Sequence, residues 1–220
     1  MRSRLRNVVM VGGYPRRRRT STRVRRRRRT CVRSVAVRYE ILVDRTERPK
    51  KCTILPLAYR EDFHIVRFDR RYPIRPLAGS FLLHPDGDLL TTQSTARIER
   101  REGIVLSAID CNWRRLDAIV GRIVGPLPPR ARIPDGFQTA YRRRNQRDLD
   151  PEGGLATIEA LFLASAFLGV WDESLLKEYA MGAEFLAVNA SLFEEHGIGP
   201  AHAESEPASD PASGRSASRR

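Results

Sequence analysis

The sequence contains little lysine, few cysteines and no pair of cysteines spaced as a metal motif. Only 3 lysines accompany 37 arginines in 220 residues, a bias typical of a GC-rich genome as much as of selection for charge. Cys31, Cys52 and Cys111 form no CxxC pair, and the four histidines share no ligand spacing, so we expect no metal. A sparse, odd set of cysteines favours the reducing cytoplasm.

No apolar stretch is long enough to cross a membrane. The longest one, residues 155–171, is interrupted by Thr157, Glu159 and Ser165. A spanning helix needs about 20 predominantly apolar residues. The basic start is not followed by the apolar segment of a secretion signal. We therefore expect a soluble protein without a membrane partner.

The excess positive charge belongs to the first 33 residues. The formal net charge is +14, and residues 1–33 contain 14 arginines and no acidic residue, which leaves the remainder near neutral. Such arginine runs repel one another and predict a disordered tail. The tail is either an arm for RNA phosphates or an extension from a misassigned start codon, and both readings stay open. Residues 199–220, rich in Ser, Ala, Pro and Glu, are also predicted to be disordered.

The central stretch, residues 103–117, reads GIVLSAIDCNWRRLD. Its apolar run at 104–109 predicts a buried strand of a parallel sheet. Ligands of open α/β sheets bind just past the carboxyl ends of such strands, so Asp110 and Trp113 are candidate site residues. The alternatives are an aspartate that only caps the next helix and a tryptophan that only fills the core.

Patterns elsewhere predict an α/β protein. We expect three further strands, two long helices, one short polar helix and a proline-rich surface connection. The strands are 35–43, 62–68 and 80–83, and the last of them ends at the turn Pro85-Asp86-Gly87. The long helices are 155–169 and 173–196, and the first of them is apolar around most of its circumference. The short helix is 91–101, and the connection is 125–134.

Four short segments form an ordered set of motifs. They are Pro-Lys-Lys-Cys-Thr at 49–53, an apolar strand ending in Asp-Cys-Asn-Trp at 104–113, Arg-Ile-Pro at 132–134 and Leu-Ala-Thr-Ile-Glu-Ala at 155–160. The set resembles the motifs of the aminocarboxypropyltransferases that modify small-subunit ribosomal RNA. The chain departs from that family at Arg48 (Asp there), His84 and Asn112 (Ser there), and where the family has Asn-Pro-Val-Asn-Tyr.

The resemblance implies a fold and a reaction. The fold is an N-terminal β-rich α/β part at 34–100, followed by a SPOUT-like knotted α/β domain with a parallel sheet at 101–198. The reaction moves the 3-amino-3-carboxypropyl group of S-adenosylmethionine to N3 of a modified uridine in rRNA and releases methylthioadenosine. A monomer that needs no metal and takes part in ribosome biogenesis is expected.

The resemblance also implies roles for individual residues. Asp110 lies near the reacting end, where it either attracts the cationic donor or accepts the N3 proton. The other implied donor contacts are Thr53 at the ribose or amino-acid end, Leu83 at the corner before His84, Trp113 and Leu116 around the methyl group, Ile133 and Gly153 at the adenine, and Thr157 at the carboxylate through its backbone N–H. Arg142, Arg143 and Arg144 either bind RNA phosphate or form a solvated loop.

Two alternatives remain at this point. One is the same transfer to a uridine of tRNA, by analogy with a related transferase family that has an Asp-x-x-Trp motif. The other is a non-catalytic RNA-binding assembly factor that keeps the fold and relies on the arginine-rich tail. Binding of S-adenosylmethionine separates the transferases from the assembly factor, and the identity of the RNA separates the two transferases.

Overall fold

Five parallel strands form one sheet at the centre of the protein. The computed structural model describes residues 36–92, 103–141 and 154–200. The strands are β1 (Val37–Asp44), β2 (Phe63–Phe68), β3 (Phe81–Leu89), β4 (Ile104–Asp110) and β5 (Arg130–Arg132), and their order is β2-β1-β4-β3-β5. Every neighbouring pair is parallel, so the prediction of an α/β protein with a parallel sheet is confirmed.

The sheet takes strands from both sides of the predicted boundary at residues 100 and 101. β1, β2 and β3 precede that boundary, and β4 and β5 follow it. β1 pairs with β4 over seven residues, from Val37 opposite Ile104 to Val43 opposite Asp110. The 34–100 segment therefore contributes to the same sheet as the residues that follow it.

Helices and turns cover both faces of the sheet. Alternate residues of a strand point to opposite faces, so Ile41 and Val43 of β1 face one apolar cluster and Leu42 faces the other. The first cluster contains the helices α2 (Thr157–Phe167), α3 (Gly182–Val188) and α4 (Ala190–Glu195), and the second contains α1 (Leu116–Val120). Burial on both faces explains why β4 is apolar almost throughout.

Helix α2 is the central helix of the first cluster. Nine of its eleven residues are buried, which confirms the prediction of a core helix. The Phe162 ring meets Trp171 at 4.8 Å, and Ser165 hydrogen-bonds the hydroxyl of Tyr39 in β1 at 2.8 Å. These contacts fix the middle of α2 against β1 and against the segment that follows the helix.

The single helix predicted for residues 173–196 is wrong. The segment forms a 3-10 turn at Glu173–Leu176 and the separate helices α3 and α4. Asn189 lies at the break, where its side chain donates to the carbonyls of Gln138 and Phe185 and accepts from the Gln138 N–H. Tertiary hydrogen bonds to Gln138 therefore interrupt a periodicity that reads as one helix.

The predicted end of β3 and the predicted surface connection at 125–134 are also wrong in part. β3 continues to Leu89, and both Leu83 and Asp88 lie opposite Ala131, so the residues between them form a bulge. At Gly87 a Cβ atom would lie 2.4 Å from the Ala131 backbone N, which requires glycine. Residues 130–132 of the connection form the edge strand β5.

Some predictions fall outside the described residues. These are the tails at 1–33 and 201–220, Arg142, Arg143, Arg144, Gly153 and most of the short helix at 91–101. Within the described ranges, no helix has the length and apolarity that crossing a membrane requires.

Candidate active site

A cavity of about 740 Å³ opens at the carboxyl ends of the central strands. Its walls come from the segment after β1, the bulge of β3, the end of β4, the segment after β5 and the beginning of α2. This is the edge at which open α/β sheets bind ligands, and the volume is in the range of small-molecule sites. All four motif segments of the sequence contribute residues to it.

Seven of the eight predicted donor-binding residues line this cavity. They are Thr53, Leu83, Asp110, Trp113, Leu116, Ile133 and Thr157. The eighth, Gly153, lies outside the described residues, and its neighbour Gly154 is part of the cavity wall. Distant segments of the chain are thus brought together at one cavity.

Asp110 connects three of the four segments. Its Oδ2 accepts a hydrogen bond from the Cys52 thiol at 2.8 Å, and its Oδ1 accepts one from the Thr157 hydroxyl at 2.8 Å. Asp110 is the last residue of β4, and the alternation of that strand turns its side chain toward α2. Thr157 is the first residue of α2, so the carboxylate lies at the positive end of the helix dipole.

Cys52 is a site residue that the sequence reasoning missed. The motif at 49–53 was interpreted through the hydroxyl of Thr53, whereas the buried Cys52 thiol makes the bond to Asp110. Burial, reinforced by the Asp110 charge, raises the pKa of Cys52 to about 12. The same causes raise the pKa of Cys111 to about 12. Both thiols are therefore protonated at neutral pH, which excludes them as thiolate nucleophiles and leaves Cys52 as a donor.

Glu47, Asp110 and Asp44 lie near one another. Glu47 lines the cavity with Asp110, and Asp44 is fully buried at the end of the neighbouring strand β1. Burial raises the pKa of Glu47, and the charges of Asp110 and Asp44 raise it further. The two carboxylates that line the cavity, Glu47 and Asp110, favour a cationic ligand beside them.

Trp113 is held at the cavity wall by a short capped turn. It begins the 3-10 helix Trp113–Arg115, and the Asn112 side chain caps that helix by accepting from the Arg114 N–H at 3.1 Å. Asn112, where the resembling family has serine, therefore acts as a capping residue. The indole is half-buried, and Leu116 beside it is buried. Together they give one wall of the cavity an apolar surface.

His84 lies in the β3 bulge and is buried against the cavity wall. Its Nδ1 accepts from the Asp86 N–H at 3.2 Å, and its Nε2 lies 3.2 Å from Asp117 Oδ1. Burial, followed by the Arg130 charge, lowers the pKa of His84, so its imidazole is neutral. The two aspartates are mostly exposed, and nothing besides their proximity to His84 indicates a metal site.

Glu159, two residues after Thr157, has a structural role. It is fully buried, and its two oxygens accept four hydrogen bonds. The donors are the Thr139 hydroxyl, the Tyr179 hydroxyl and the N–H groups of Ala140 and Ala156, at 2.7–2.9 Å. The segment at 137–141, which forms part of the cavity wall, is fixed to α2 in this way.

A solved structure of known activity is similar to this chain. No protein-family model and no curated protein matches the sequence. Among solved structures, the chain is similar to the S-adenosylmethionine-dependent rRNA aminocarboxypropyltransferase Tsr3 from Vulcanisaeta distributa, with a TM-score of 0.53 and 25% identity over 72% of this chain and 82% of that one. The α/β fold with a parallel sheet agrees with this similarity. The resemblance to the rRNA aminocarboxypropyltransferases that the sequence predicts is therefore confirmed.

Proposed function

We propose that this protein transfers the 3-amino-3-carboxypropyl group of S-adenosylmethionine to N3 of a uridine or pseudouridine in small-subunit rRNA. The observation that carries the proposal is the Asp110 carboxylate, at which the segments containing Cys52, Asp110 and Thr157 meet inside a cavity. The similarity to Tsr3, an S-adenosylmethionine-dependent rRNA aminocarboxypropyltransferase, favours rRNA over tRNA.

The residues of the cavity fit the chemistry of the donor. S-Adenosylmethionine contains a cationic sulfonium, an ammonium, a carboxylate and an adenine. Glu47 and Asp110 suit the positive groups, and the free N–H groups in the first turn of α2 suit the carboxylate. Trp113 and Leu116 offer the apolar, aromatic surface that a sulfonium and its methyl group favour.

The reaction requires the donor to present a methylene rather than its methyl group. When bound, S-adenosylmethionine supplies the electrophilic methylene beside sulfur: a bond forms from uridine N3 to that carbon, the carbon–sulfur bond breaks with its electron pair remaining on sulfur, and N3 loses its proton. Trp113 and Leu116 enclose the methyl group and turn the methylene toward the opening. Such positioning is worth several kcal/mol of the barrier in favourable cases.

Asp110 acts in this proposal as a fixed negative charge. Both of its oxygens already accept hydrogen bonds from side chains, Cys52 at one and Thr157 at the other. These bonds hold the ionised carboxylate in one orientation, which suits attraction of the donor better than removal of a proton from RNA. The N3 proton then passes to solvent.

The remaining assignments follow the resemblance. Thr53 contacts the ribose or amino-acid end, Leu83 borders the donor, the backbones of Ile133 and Gly153 contact the adenine, and the Thr157 N–H binds the carboxylate. Arg142, Arg143 and Arg144 bind RNA phosphate. The proposal also includes a SPOUT-like knot in the backbone, which an experimental structure that traces residues 133–157 would test. It further includes a monomeric state, a role in ribosome biogenesis and a cytoplasmic location.

Two isotopic labels test the reaction. Small-subunit rRNA and tRNA from cells that lack this gene are incubated with the protein and S-adenosylmethionine labelled either in the carboxyl carbon or in the methyl group. Transfer of the carboxyl label alone, into rRNA, is the expected result. Transfer of the methyl label would make the protein a methyltransferase, and transfer of the carboxyl label into tRNA alone would overturn the choice of RNA.

Calorimetry tests the cavity without RNA. We expect S-adenosylmethionine to bind with about micromolar affinity, about −8 kcal/mol. Trp113→Ala should abolish measurable binding, and Trp113→Phe should retain most of it because it keeps an aromatic wall. A folded protein that binds neither S-adenosylmethionine nor methylthioadenosine, and that transfers no label when RNA is present, would contradict the transferase assignment and favour a non-catalytic RNA-binding factor.

A further inference from the structure

A hydrogen-bonded turn follows β2 at the carboxyl edge of the sheet. In this Asp69–Tyr72 turn, the Tyr72 N–H donates to the Asp69 carbonyl at 3.1 Å, and the Asp69 carboxylate accepts from both the backbone and the guanidinium of Arg71 at 2.7–3.1 Å. Two residues later, the buried Ile74 pairs with Ile123 beyond α1. The turn is thus fixed at both ends, by β2 and by this bridge.

The turn presents an aromatic ring to solvent. Tyr72 is 62% exposed, although its backbone N–H is hydrogen-bonded and its neighbours are held in the turn. The Arg71 guanidinium lies 5.9 Å from the centre of the ring. An exposed ring beside an arginine is the arrangement on which unpaired nucleic-acid bases stack.

Asp44 connects this turn to the cavity. Its buried Oδ2 lies 3.0 Å from Arg70 Nε in the turn and 3.9 Å from an Arg115 nitrogen. Arg115 ends the 3-10 helix that Trp113 begins at the cavity wall. β2 is two strands from β4, so their carboxyl ends lie about 10 Å apart. The ring is therefore within a few nucleotides of the proposed site of transfer.

The surface between the ring and the cavity is basic. Residues 34–220 are near neutral in total, yet arginines accumulate in the segments that follow β1, β2 and β4. They are Arg45, Arg70, Arg71, Arg114, Arg115 and Arg122, accompanied by the carboxylates of Asp44, Glu47, Asp69 and Asp117. An excess of arginine along one edge favours a polyanion.

We propose that the Asp69–Tyr72 turn, together with Arg115, is a docking surface for the RNA substrate, on which an unpaired base beside the target uridine stacks against Tyr72 while the arginines bind phosphates. This inference rests on the proposed function, since it concerns the RNA that the same cavity modifies. It assigns Tyr72 a preference for single-stranded over paired bases, because a base within a duplex has no free face.

The chain contains matched controls for both contacts. Tyr59 is 67% exposed, like Tyr72, but it lies in the segment that leads into the amino end of β2, at the opposite edge of the sheet. Arg38 is an exposed arginine near the amino end of β1. Tyr72→Ala is compared with Tyr59→Ala, and Arg71→Gln with Arg38→Gln, all in the full chain, so that the arginines of residues 1–33 contribute equally to every variant.

Fluorescence anisotropy with two labelled RNAs tests the proposal. The probes are a short hairpin whose loop carries unpaired uridines and a fully paired duplex of the same length. Tyr72→Ala should weaken hairpin binding about tenfold and leave duplex binding unchanged. Arg71→Gln should weaken binding of both RNAs. It should also reduce the slope of log affinity against log salt by about the amount that corresponds to one lost phosphate contact. The Tyr59 and Arg38 variants should bind as the wild type does.

The possible results separate this inference from the proposed function. Equal effects of Tyr72→Ala and Tyr59→Ala, or an equal loss on hairpin and duplex, overturn the docking surface while calorimetric binding of S-adenosylmethionine leaves the transferase intact. Loss of S-adenosylmethionine binding in Tyr72→Ala also overturns it, because the ring would then support the cavity itself. Wild-type protein that discriminates hairpin from duplex through Tyr72 but binds no S-adenosylmethionine supports the docking surface and overturns the transferase.

Discussion

Two carboxylates at the beginning of α2 differ in how completely the protein satisfies them. Glu159 is fully buried and accepts four hydrogen bonds at 2.7–2.9 Å, from Thr139, Ala140, Ala156 and Tyr179. Asp110 accepts two, from Cys52 and Thr157, and faces the cavity. Each carboxylate oxygen has two lone pairs, so a carboxylate can accept four hydrogen bonds. Glu159 therefore has no acceptor site left, and Asp110 retains two.

The difference indicates a division between structure and ligand binding. A saturated, buried carboxylate contributes to one fixed arrangement of the chain, and here it joins the cavity wall to α2. A carboxylate that is held by two donors but still faces a cavity has both a defined orientation and room for a cationic partner. Sequence position does not distinguish them, because each lies next to an apolar run.

The largest effect is expected from Glu159→Ala. Removing the carboxylate leaves buried N–H and hydroxyl groups without partners, so the free energy of unfolding should fall on the order of 3–5 kcal/mol. Urea denaturation measures it. Glu178→Ala, the same substitution at an exposed position, should change it by no more than about 0.5 kcal/mol. Similar stability of the two variants would contradict a structural role for Glu159.

Asp110→Asn should weaken ligand binding more than it lowers stability, and its largest effect should be smaller than that of Glu159→Ala. The substitution keeps the shape and removes the charge, so the affinity for S-adenosylmethionine should fall about tenfold, or about 1.4 kcal/mol, while unfolding changes by less than about 1 kcal/mol. Calorimetry and urea denaturation of the same samples measure the two quantities, with Glu178→Gln as the control. If Asp110→Asn lost as much stability as Glu159→Ala and bound S-adenosylmethionine normally, the proposed distinction between a ligand-binding and a structural carboxylate would be wrong.

The smallest effect concerns the pH dependence contributed by Glu47. Burial and the charges of Asp110 and Asp44 raise its pKa above the ordinary value of 4.5, so the folded protein holds this proton more tightly than the unfolded chain does. The protein therefore loses stability as the pH rises from the pKa of Glu47 in the unfolded chain to its higher pKa in the folded protein, and the stability stays lower above that pH. The free energy of unfolding of Glu47→Gln should equal that of the wild type near pH 4 and exceed it at pH 7. The difference should be less than about 1 kcal/mol, because solvent screens the charge of a partly exposed group.

Urea denaturation of both proteins across this pH range measures the difference. Binding should show the opposite trend: ionisation of Glu47 adds negative charge to the cavity, so the wild type should bind S-adenosylmethionine more tightly as the pH rises. A wild type that gains stability relative to Glu47→Gln between pH 4 and pH 7 would show that Glu47 is stabilised as an anion in the folded protein.

Several features of the fold and the site follow from local sequence. The apolar run at 104–109 predicts the central parallel strand, and the position of Asp110 after it predicts a place at the ligand-binding edge. The continuous apolar surface of α2 predicts a core helix. These features depend on the residues of one segment, so the sequence alone determines them.

Pairing between distant segments was decided only by the tertiary structure. Cys52 rather than Thr53 bonds Asp110, Asn189 divides the last helix by pairing with Gln138, and β3 continues past Pro85-Asp86-Gly87 because β5 lies beside it. In each case a hydrogen bond or a close approach from another part of the chain outweighs a local preference worth about 1 kcal/mol or less. The sequence alone thus determined the central strand, the core helix and the edge at which Asp110 lies, whereas the partners of Asp110 and Glu159 depended on which segments the packed sheet brought within hydrogen-bonding distance.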